Sequence, residues 1–172
     1  ILDLSCVLAG PWCTQALADM GAEVIKIEPP GAGDEMRHSP PFLRDREGQP
    51  TRDTPSYVCV NRGKRSLTVD FTQPAGQALI RDLARQCDVV VENFKAGDLA
   101  RHGLDPASLM ALNPGLVYCS ITGYGQDGPM AGLPGYDPVF QALSGIMSTC
   151  GLPDGEPGAG PMRSMLPLVD VM

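Results

Sequence analysis

Short apolar or alternating runs recur along the chain and predict β-strands. Leu2–Leu8 is an apolar run of strand length, and Glu23–Glu28 alternates apolar and charged residues with the two-residue period of a strand. Further strands are predicted at Ser66–Asp70, Val89–Val91 and Leu116–Ile121. All of these runs have the length of strands and are bounded by turn-forming residues, which favours a sheet.

Amphipathic stretches between these runs predict helices. Their ends carry the usual signals, which are Asp at the N-cap, proline in the first turn and glycine after the last residue. The predicted helices cover 12–20, 72–86, 105–112 and 137–146, with one or two helical turns over 96–101. Strands that alternate with helices predict an α/β fold with a doubly wound, open parallel sheet and right-handed crossovers.

Two stretches rich in glycine and proline are predicted to be loops. Pro29–Pro55 also carries many charges and shows no helix or strand period, and Gly151–Pro161 is a second such stretch. Loops longer than about 12–15 residues are uncommon in compact domains and often have a function. The first stretch is therefore a candidate lid or binding loop.

Charge narrows the classes of partner. The chain has 172 residues, 13 Lys+Arg against 20 Asp+Glu, and a formal net charge of −7. A basic face for nucleic acid or an anionic membrane is therefore not expected. No apolar run approaches the roughly 20 residues that a membrane helix needs.

The six cysteines indicate neither a metal site nor a disulfide framework. None of them forms a C-x-x-C pair, and the chain has only two histidines. A zinc site needs tighter clustering of ligands, so no metal is predicted. Buried, reduced thiols in a cytoplasmic protein are the expected state.

Both ends of the chain lie in apolar runs. Ile1 stands where an initiator Met is expected, and the chain closes at Met172. Complete domains more often end in solvated residues, so we expect the 172 residues to be a fragment of a longer protein.

Candidate chemistry lies where predicted strands end, because ligands of open α/β sheets bind at the carboxyl ends of the strands. Three such ends combine small and polar residues, namely 8–11, 92–94 and 122–125, although each could be an ordinary turn. The dinucleotide fingerprint and the P-loop motif are both absent. Asn61–Ser66 groups three cations beside a glycine and is either a phosphate site or a solvated turn.

Asp170 is the most unusual acid, because it lies in the apolar segment Met165–Met172. Its carboxylate could be a helix N-cap, a buried acid at the end of a strand, or a nucleophile. The residues alone leave these three alternatives open.

Six segments together resemble the class III CoA-transferases, the CaiB/BaiF family. They are ILDLSCVLAGPWCTQALADMGAEVIKIEPPGAGDEMR (1–37), NRGKRSLTVDF (61–71), DVVVENFKAGDLARHGL (88–104), NPGLVYCSITGYGQDGP (113–129), AGLPGYDPVFQALSG (131–145) and MRSMLPLVDVM (162–172). The resemblance spans the whole chain. It implies a Rossmann-like sheet in which 1–172 are the first part of the large CoA-binding domain.

The resemblance assigns Asp170 as the family's nucleophile. Such enzymes move CoA from an acyl-CoA to a carboxylic acid through an aspartyl anhydride and an aspartyl-CoA thioester, so CoA is a substrate and no tightly bound cofactor is expected. A glycine-rich loop that assists this chemistry is implied to lie C-terminal to residue 172. Family members are interlocked homodimers, which is the expected assembly here.

The resemblance also implies which residues contact CoA. The positions that match are Val7, Leu8, Ala9, Asn93, Phe94, Arg101, Tyr136 and Asp137. The sequence departs from the family pattern at Pro29, where formyl-CoA transferases carry a CoA-contacting arginine. Arg37 or Lys64 could compensate for it.

Two other functions remain as alternatives. The same fold hosts 2-methylacyl-CoA racemases, which use a histidine where this chain has Tyr136, and tyrosine is a poor base at neutral pH. A non-catalytic CoA-binding module is the other alternative. Among the transferases, the segments 118–129 and 131–137 are more similar to the branch that handles dicarboxylates, such as succinyl-CoA-dependent enzymes.

Overall fold

Five parallel strands form the central sheet in the computed structural model, which describes residues 1–171. The strands are β1 (Leu2–Asp3), β2 (Ile25–Glu28), β3 (Arg65–Thr68), β4 (Val89–Glu92) and β5 (Val117–Ser120), in the spatial order β3-β2-β1-β4-β5. Every neighbouring pair in this sheet is parallel. The predicted α/β class with an open parallel sheet is confirmed.

The helices are α1 (Ala9–Asp19), α2 (Pro55–Asn61), α3 (Pro74–Ala84), α4 (Pro106–Leu112), α5 (Asp137–Leu143) and α6 (Leu168–Val171). Single 3₁₀ turns lie at Glu35–His38, Leu99–His102 and Ile146–Thr149. A small antiparallel hairpin, β6 (Gly151–Leu152) with β7 (Gly160–Pro161), lies outside the main sheet.

The two faces of the sheet differ in chemistry. Ile25 and Ile27 of β2 face the apolar core, which α3 and α4 complete. The buried core residues are Leu2, Leu4, Ile27, Val69, Ile80, Ala84, Val90, Leu99, Leu104, Leu109 and Leu116. Lys26 and Glu28 alternate with these isoleucines, yet they are only 1% and 3% exposed. The alternation that predicted β2 therefore separates an apolar face from a buried charged face.

An ionic layer fills that second face, under α1, α2 and the loop after β2. We use the name ionic layer for Asp3, Lys26, Glu28, Asp34, Arg37 and Lys64. Lys64 Nζ lies 3.0 Å from Asp3 Oδ2, and Lys26 Nζ lies 2.9 Å from Asp34 Oδ2, in pairs whose side chains are at most 2% exposed. Buried charges are tolerated only when they are paired and hydrogen-bonded, as these are.

The predicted strand Leu2–Leu8 was too long. Only Leu2–Asp3 pairs as a strand, and helix α1 begins at Ala9 rather than Trp12. The physical reason is that the backbone of Cys6 bonds to a side chain, that of Asn93, and therefore leaves the ladder.

Helix α2 was not predicted. Thr54 Oγ1 accepts a hydrogen bond from Tyr57 N at 3.1 Å, and Pro55 opens the helix. This Thr-Pro start repeats the Asp-Pro pattern that correctly predicted α4. The predicted loop Gly151–Pro161 contains the β6–β7 hairpin, and the helix predicted to reach Ile146 ends at Leu143.

Within residues 1–171, no helix combines the length and the hydropathy that crossing a bilayer requires.

We predict that Lys64→Met lowers the free energy of unfolding by about 3–5 kcal/mol, because it leaves the buried Asp3 carboxylate without its cation. Urea denaturation measures the change. Arg85→Met is the control, since its ion pair with Asp82 is exposed and should contribute less than about 1 kcal/mol. Equal losses in the two variants would contradict the structural role of Lys64.

Candidate functional site

The strand order reverses between β1 and β4, and the general rule for open α/β sheets places a ligand crevice at that position. The chain moves outward from β1 to β2 and β3, then returns to add β4 on the other side of β1. At such a switch point, the loops that leave two adjacent strands diverge, and ligands of open α/β sheets bind there. The crevice lies at the carboxyl ends of β1 and β4, where Cys6, Val7 and Asn93 follow the strands. We call it the switch crevice.

The Asn93 side chain ties the two sides of the switch crevice together. Its Oδ1 accepts a hydrogen bond from Cys6 N at 2.8 Å, and its Nδ2 donates to Cys6 O at 2.8 Å. The carboxamide thus pairs with Cys6 as a neighbouring strand would. Asn93 therefore acts on the β1–α1 turn through both of its polar atoms.

Val7 occupies the turn that this pairing holds. Its φ is +64°, which is strained for a β-branched residue, and its side chain is 37% exposed. Asp34 Oδ1 accepts a hydrogen bond from Val7 N at 3.2 Å, so the strained turn is held from the β2 side as well. Leu8 and Ala9 continue from it into α1.

Helix α1 starts in close contact with this turn. A Cβ placed on Gly10 would lie 2.2 Å from Ser5 Cβ and 3.4 Å from Asn93 Cγ. Only glycine permits this approach, so the first turn of α1 is fixed beside Asn93.

Phe94 and Arg101, the other predicted contacts after β4, differ in accessibility. The Phe94 ring packs edge-on against Phe71, with centroids 5.6 Å apart, and belongs to the margin of the apolar core. Arg101 lies on the 3₁₀ turn after β4, is 71% exposed at its side chain and pairs with Asp98 at 2.6 Å. Arg101 remains accessible to an anion, whereas the Phe94 ring serves packing.

Asp170 lies in α6, which contacts both α1 and α5. Asp137, at the start of α5, accepts a hydrogen bond from Val169 N at 2.9 Å on Oδ1, so the structure brings Asp137 beside the Asp170 segment. Burial, and then the negative charge of Asp137, raise the pKa of the Asp170 carboxyl group. Tyr136, the residue before α5, is 66% exposed.

Two glycines allow the segment around Tyr136 to approach the loop after β5. A Cβ on Gly123 would lie 2.8 Å from Gly135 Cα and 2.6 Å from Phe140 Cζ. This contact fixes the glycine-rich stretch against the start of α5.

The basic cluster Asn61–Ser66 is not arranged for phosphate. Arg62 pairs with Asp19, Arg65 NH1 lies 2.7 Å from Glu23 Oε1, and Lys64 belongs to the ionic layer. Each of the three cations has an acidic partner, which favours the structural alternative. Lys64, buried in this way, does not compensate for Pro29.

A cavity of about 410 Å³ opens at the carboxyl ends of β2 and β3, under the loop 29–54. Its lining residues are Glu28, Pro29, Gly31, Ala32, Gly33, Arg37, His38, Phe42, Thr51, Arg52, Ser66 and Thr68. Arg37 is engaged by Glu28 and Asp53, but Arg52 is exposed, and its hydrogen bond in the described chain is a long one to Gly31 O at 3.4 Å. The sequence analysis missed Arg52 because no local pattern distinguishes it from other loop charges.

Glu28 organises this cavity. Burial by itself would raise the pKa of Glu28, but hydrogen bonds from Arg37, Ser66, the Asp34 backbone and Tyr57 outweigh it and lower the pKa to about 2. Arg37 Nε lies 2.7 Å from Glu28 Oε2, and its guanidinium stacks 3.7 Å above the Tyr57 ring. The carboxylate is therefore ionised and fixed at the floor of the cavity.

Among residues 1–171, no group of three or more His, Cys, Asp and Glu side chains is arranged to hold a metal ion.

Comparison with known proteins agrees with the fold. The family model "CoA-transferase family III" matches residues 1–172, and the chain belongs to this family. It is 52% identical over 158 residues to the succinate–glutarate CoA-transferase of Agrobacterium fabrum, covering 91% of this chain and 39% of that protein. It is 46% identical to the mouse succinyl-CoA:glutarate CoA-transferase, covering 91% of this chain and 35% of that protein.

A solved structure shows the same architecture. The crystal structure of a CaiB/BaiF family protein from Brucella suis has a TM-score of 0.89 and 46% identity, and the match covers 99% of this chain and 43% of that one. The chain therefore spans about two fifths of the length of the proteins it matches. The family predicted from the six segments is confirmed.

We predict that acid destabilises the fold through Glu28. Because its pKa is about 2 in the folded protein and about 4.3 in an unfolded chain, its contribution is complete above about pH 5 and is lost as the pH falls towards 2. The difference corresponds to roughly 3 kcal/mol. Urea denaturation between pH 6 and pH 3 should show a steeper loss for the wild type than for Glu28→Gln. Parallel curves would contradict the prediction.

Proposed function

We propose that the complete protein is a CoA-transferase that moves CoA from an acyl-CoA donor to a carboxylic acid through covalent intermediates on Asp170. The observation that carries the proposal is the position of α6. This short helix packs against α1, which leads directly out of the strained turn at the switch crevice. An acyl-CoA bound along that crevice would present its thioester to α6.

The chemistry suits a half-buried carboxylate. In the first step, an Asp170 oxygen attacks the donor's thioester carbon, the C–S bond breaks, and CoA leaves as a thiolate with an acyl-aspartyl anhydride behind it. The thiolate then attacks Cγ of Asp170, the anhydride C–O bond breaks, and the donor acid leaves. An aspartyl-CoA thioester remains, so the free energy of the donor's thioester bond is conserved.

The acceptor acid reverses these steps. Its carboxylate attacks Cγ of Asp170 and expels the thiolate, which gives a second anhydride. The thiolate attacks the acceptor's acyl carbon, which yields the new acyl-CoA and restores Asp170. Burial raises the pKa of Asp170, which means that its carboxylate is more basic. The same burial limits the access of water to the anhydride.

We infer that the donor is succinyl-CoA and that the acceptor is a dicarboxylic acid. Support comes from the relatives named as succinate–glutarate and succinyl-CoA:glutarate CoA-transferases, at 52% and 46% identity. A protein named succinyl-CoA–D-citramalate CoA-transferase, from Chloroflexus aurantiacus, is 44% identical over 157 residues.

We predict that Asp170→Ala in the complete protein lowers the rate of CoA transfer from succinyl-CoA by about a thousandfold or more, because no covalent intermediate can form. Asp154→Ala, at an exposed turn, is the matched control and should keep the wild-type rate. Hydroxylamine added during turnover should trap a hydroxamate at residue 170, detectable by peptide mass spectrometry.

Two results would overturn the proposed function. One is transfer by Asp170→Ala at the wild-type rate. The other is wash-in of deuterium at the α-carbon of a 2-methylacyl-CoA without transfer, which would identify a racemase.

We also infer that Arg52 contacts a phosphate of CoA. It lines the same cavity as Pro29, the position where the resemblance implies a lost arginine contact. Arg37 lines it too, but Glu28 and Asp53 already neutralise that guanidinium. Arg52 is therefore the cation best placed to replace the contact.

We predict that Arg52→Ala raises the KM for succinyl-CoA about three- to tenfold with little change in kcat, as loss of about 1 kcal/mol from an exposed charge pair requires. Arg46→Ala, on the same loop but outside the cavity lining, should leave KM unchanged. A succinyl-pantetheine donor has no nucleotide phosphates, so wild type and Arg52→Ala should use it equally. An equal loss with both donors would refute the phosphate contact.

A further inference from the structure

Both polar atoms of the Gln141 side chain form hydrogen bonds close to the Asp170 segment. It is fully buried, at 0% exposure, on α5. Its Oε1 accepts a hydrogen bond from Ser164 N at 2.8 Å, and its Nε2 donates to Leu166 O at 3.1 Å. The side-chain amide therefore forms hydrogen bonds with the backbone of the segment that leads into α6.

Asp137 lies one helical turn before Gln141, and the two side chains act together. Gln141 Nε2 donates to Asp137 Oδ2 at 2.6 Å, while Asp137 Oδ1 accepts from Val169 N at 2.9 Å. Residues four apart on a helix face the same side, which explains how one turn of α5 holds three backbone groups of the next segment. Val169 immediately precedes Asp170.

Apolar burial does little to hold this segment. Met165 is 88% exposed and Leu166 is 65% exposed, although both lie between Ser164 and Val169, whose backbone N–H groups bond to α5. With those two side chains exposed, the hydrogen bonds from α5 side chains to Ser164, Leu166 and Val169 hold the path of the backbone that leads into α6.

We propose that Asp137 and Gln141 form a clamp that positions the carboxylate of Asp170. They are positioning residues, because the polar atoms of both side chains are engaged within the clamp. The proposal rests on the proposed function, in which Asp170 is the nucleophile. It revises the role that the resemblance implied for Asp137, since that carboxylate is only 9% exposed and both of its oxygens have partners within the clamp.

A positioning role and a CoA-contact role predict different kinetics. Loss of a CoA contact weakens substrate binding and raises KM, whereas a displaced nucleophile slows the chemical step and lowers kcat. A shift of about 1 Å in a reacting group can slow a reaction by about a hundredfold. The split between KM and kcat therefore separates the two roles.

The test compares Gln141→Met with Asn113→Leu in the complete protein. Methionine keeps the length of Gln141 without its hydrogen bonds. Asn113 is a matched control, because its side-chain amide donates to Ala84 O at 3.1 Å and Cys87 O at 2.9 Å, at the amino ends of β4 and β5, remote from the switch crevice along those strands. Both variants lose a side-chain amide that bonds backbone groups.

We expect Gln141→Met to lower kcat for succinyl-CoA-dependent transfer about ten- to a hundredfold with KM within twofold, and to slow trapping of the hydroxamate at residue 170 equally. Asn113→Leu should keep kcat within twofold at a similar loss of thermal stability. If Gln141→Met does not fold, Asp137→Asn replaces it. That change leaves one acceptor for the two donors Gln141 Nε2 and Val169 N, so it should show the same split with a smaller loss of kcat.

Three results would overturn the clamp. They are a kcat within twofold of the wild type in a folded clamp variant, a loss confined to KM, and equal losses of kcat in Gln141→Met and Asn113→Leu. If Asp170→Ala is inactive in the same assay, the proposed function survives any of these results. If Asp170→Ala is active, the proposed function fails first and independently of the clamp.

Discussion

The ionic layer on one face of the sheet is the constraint on which the rest of this structure depends. Lys26 and Lys64 are buried side chains, and each is stable there only because an acid, Asp34 or Asp3, lies within 3.0 Å. The same acids and their neighbours fix the turn after β1 and the loop after β2. Charge pairing, rather than apolar packing, therefore aligns the turn after β1, on one side of the switch crevice, with the loop after β2.

The sequence predicted the sheet well because parallel strands buried on one apolar face leave short, regular patterns. It predicted β2 from the alternation of Ile25, Lys26, Ile27 and Glu28, but it could not show that the charged residues are buried too. That depends on Asp34 and Arg37, which pair with Lys26 and Glu28 only in the folded molecule. Helix α2 was missed although its Thr-Pro start is visible in the sequence.

The candidate site was predicted in part. The strand ends that contain Val7 and Asn93 follow from the general rule for open α/β sheets, and Asp170 followed from the family resemblance. The role of Gln141 could not be predicted, because a glutamine in a short helix gives no indication in the sequence of which backbone groups it will bond. Arg52 was not predicted because charged residues are common in loops, and only its position in the cavity lining distinguishes it.

The pairing of Asn93 with Cys6 has a consequence for the order of folding. The two residues are 87 positions apart, and contacts of such separation form only after much of the chain between them has collapsed. Until β4 is in place, Asn93 cannot bond Cys6, and the strained turn at Val7 is not held from the β4 side. The crevice therefore matures late, when β4 docks against β1.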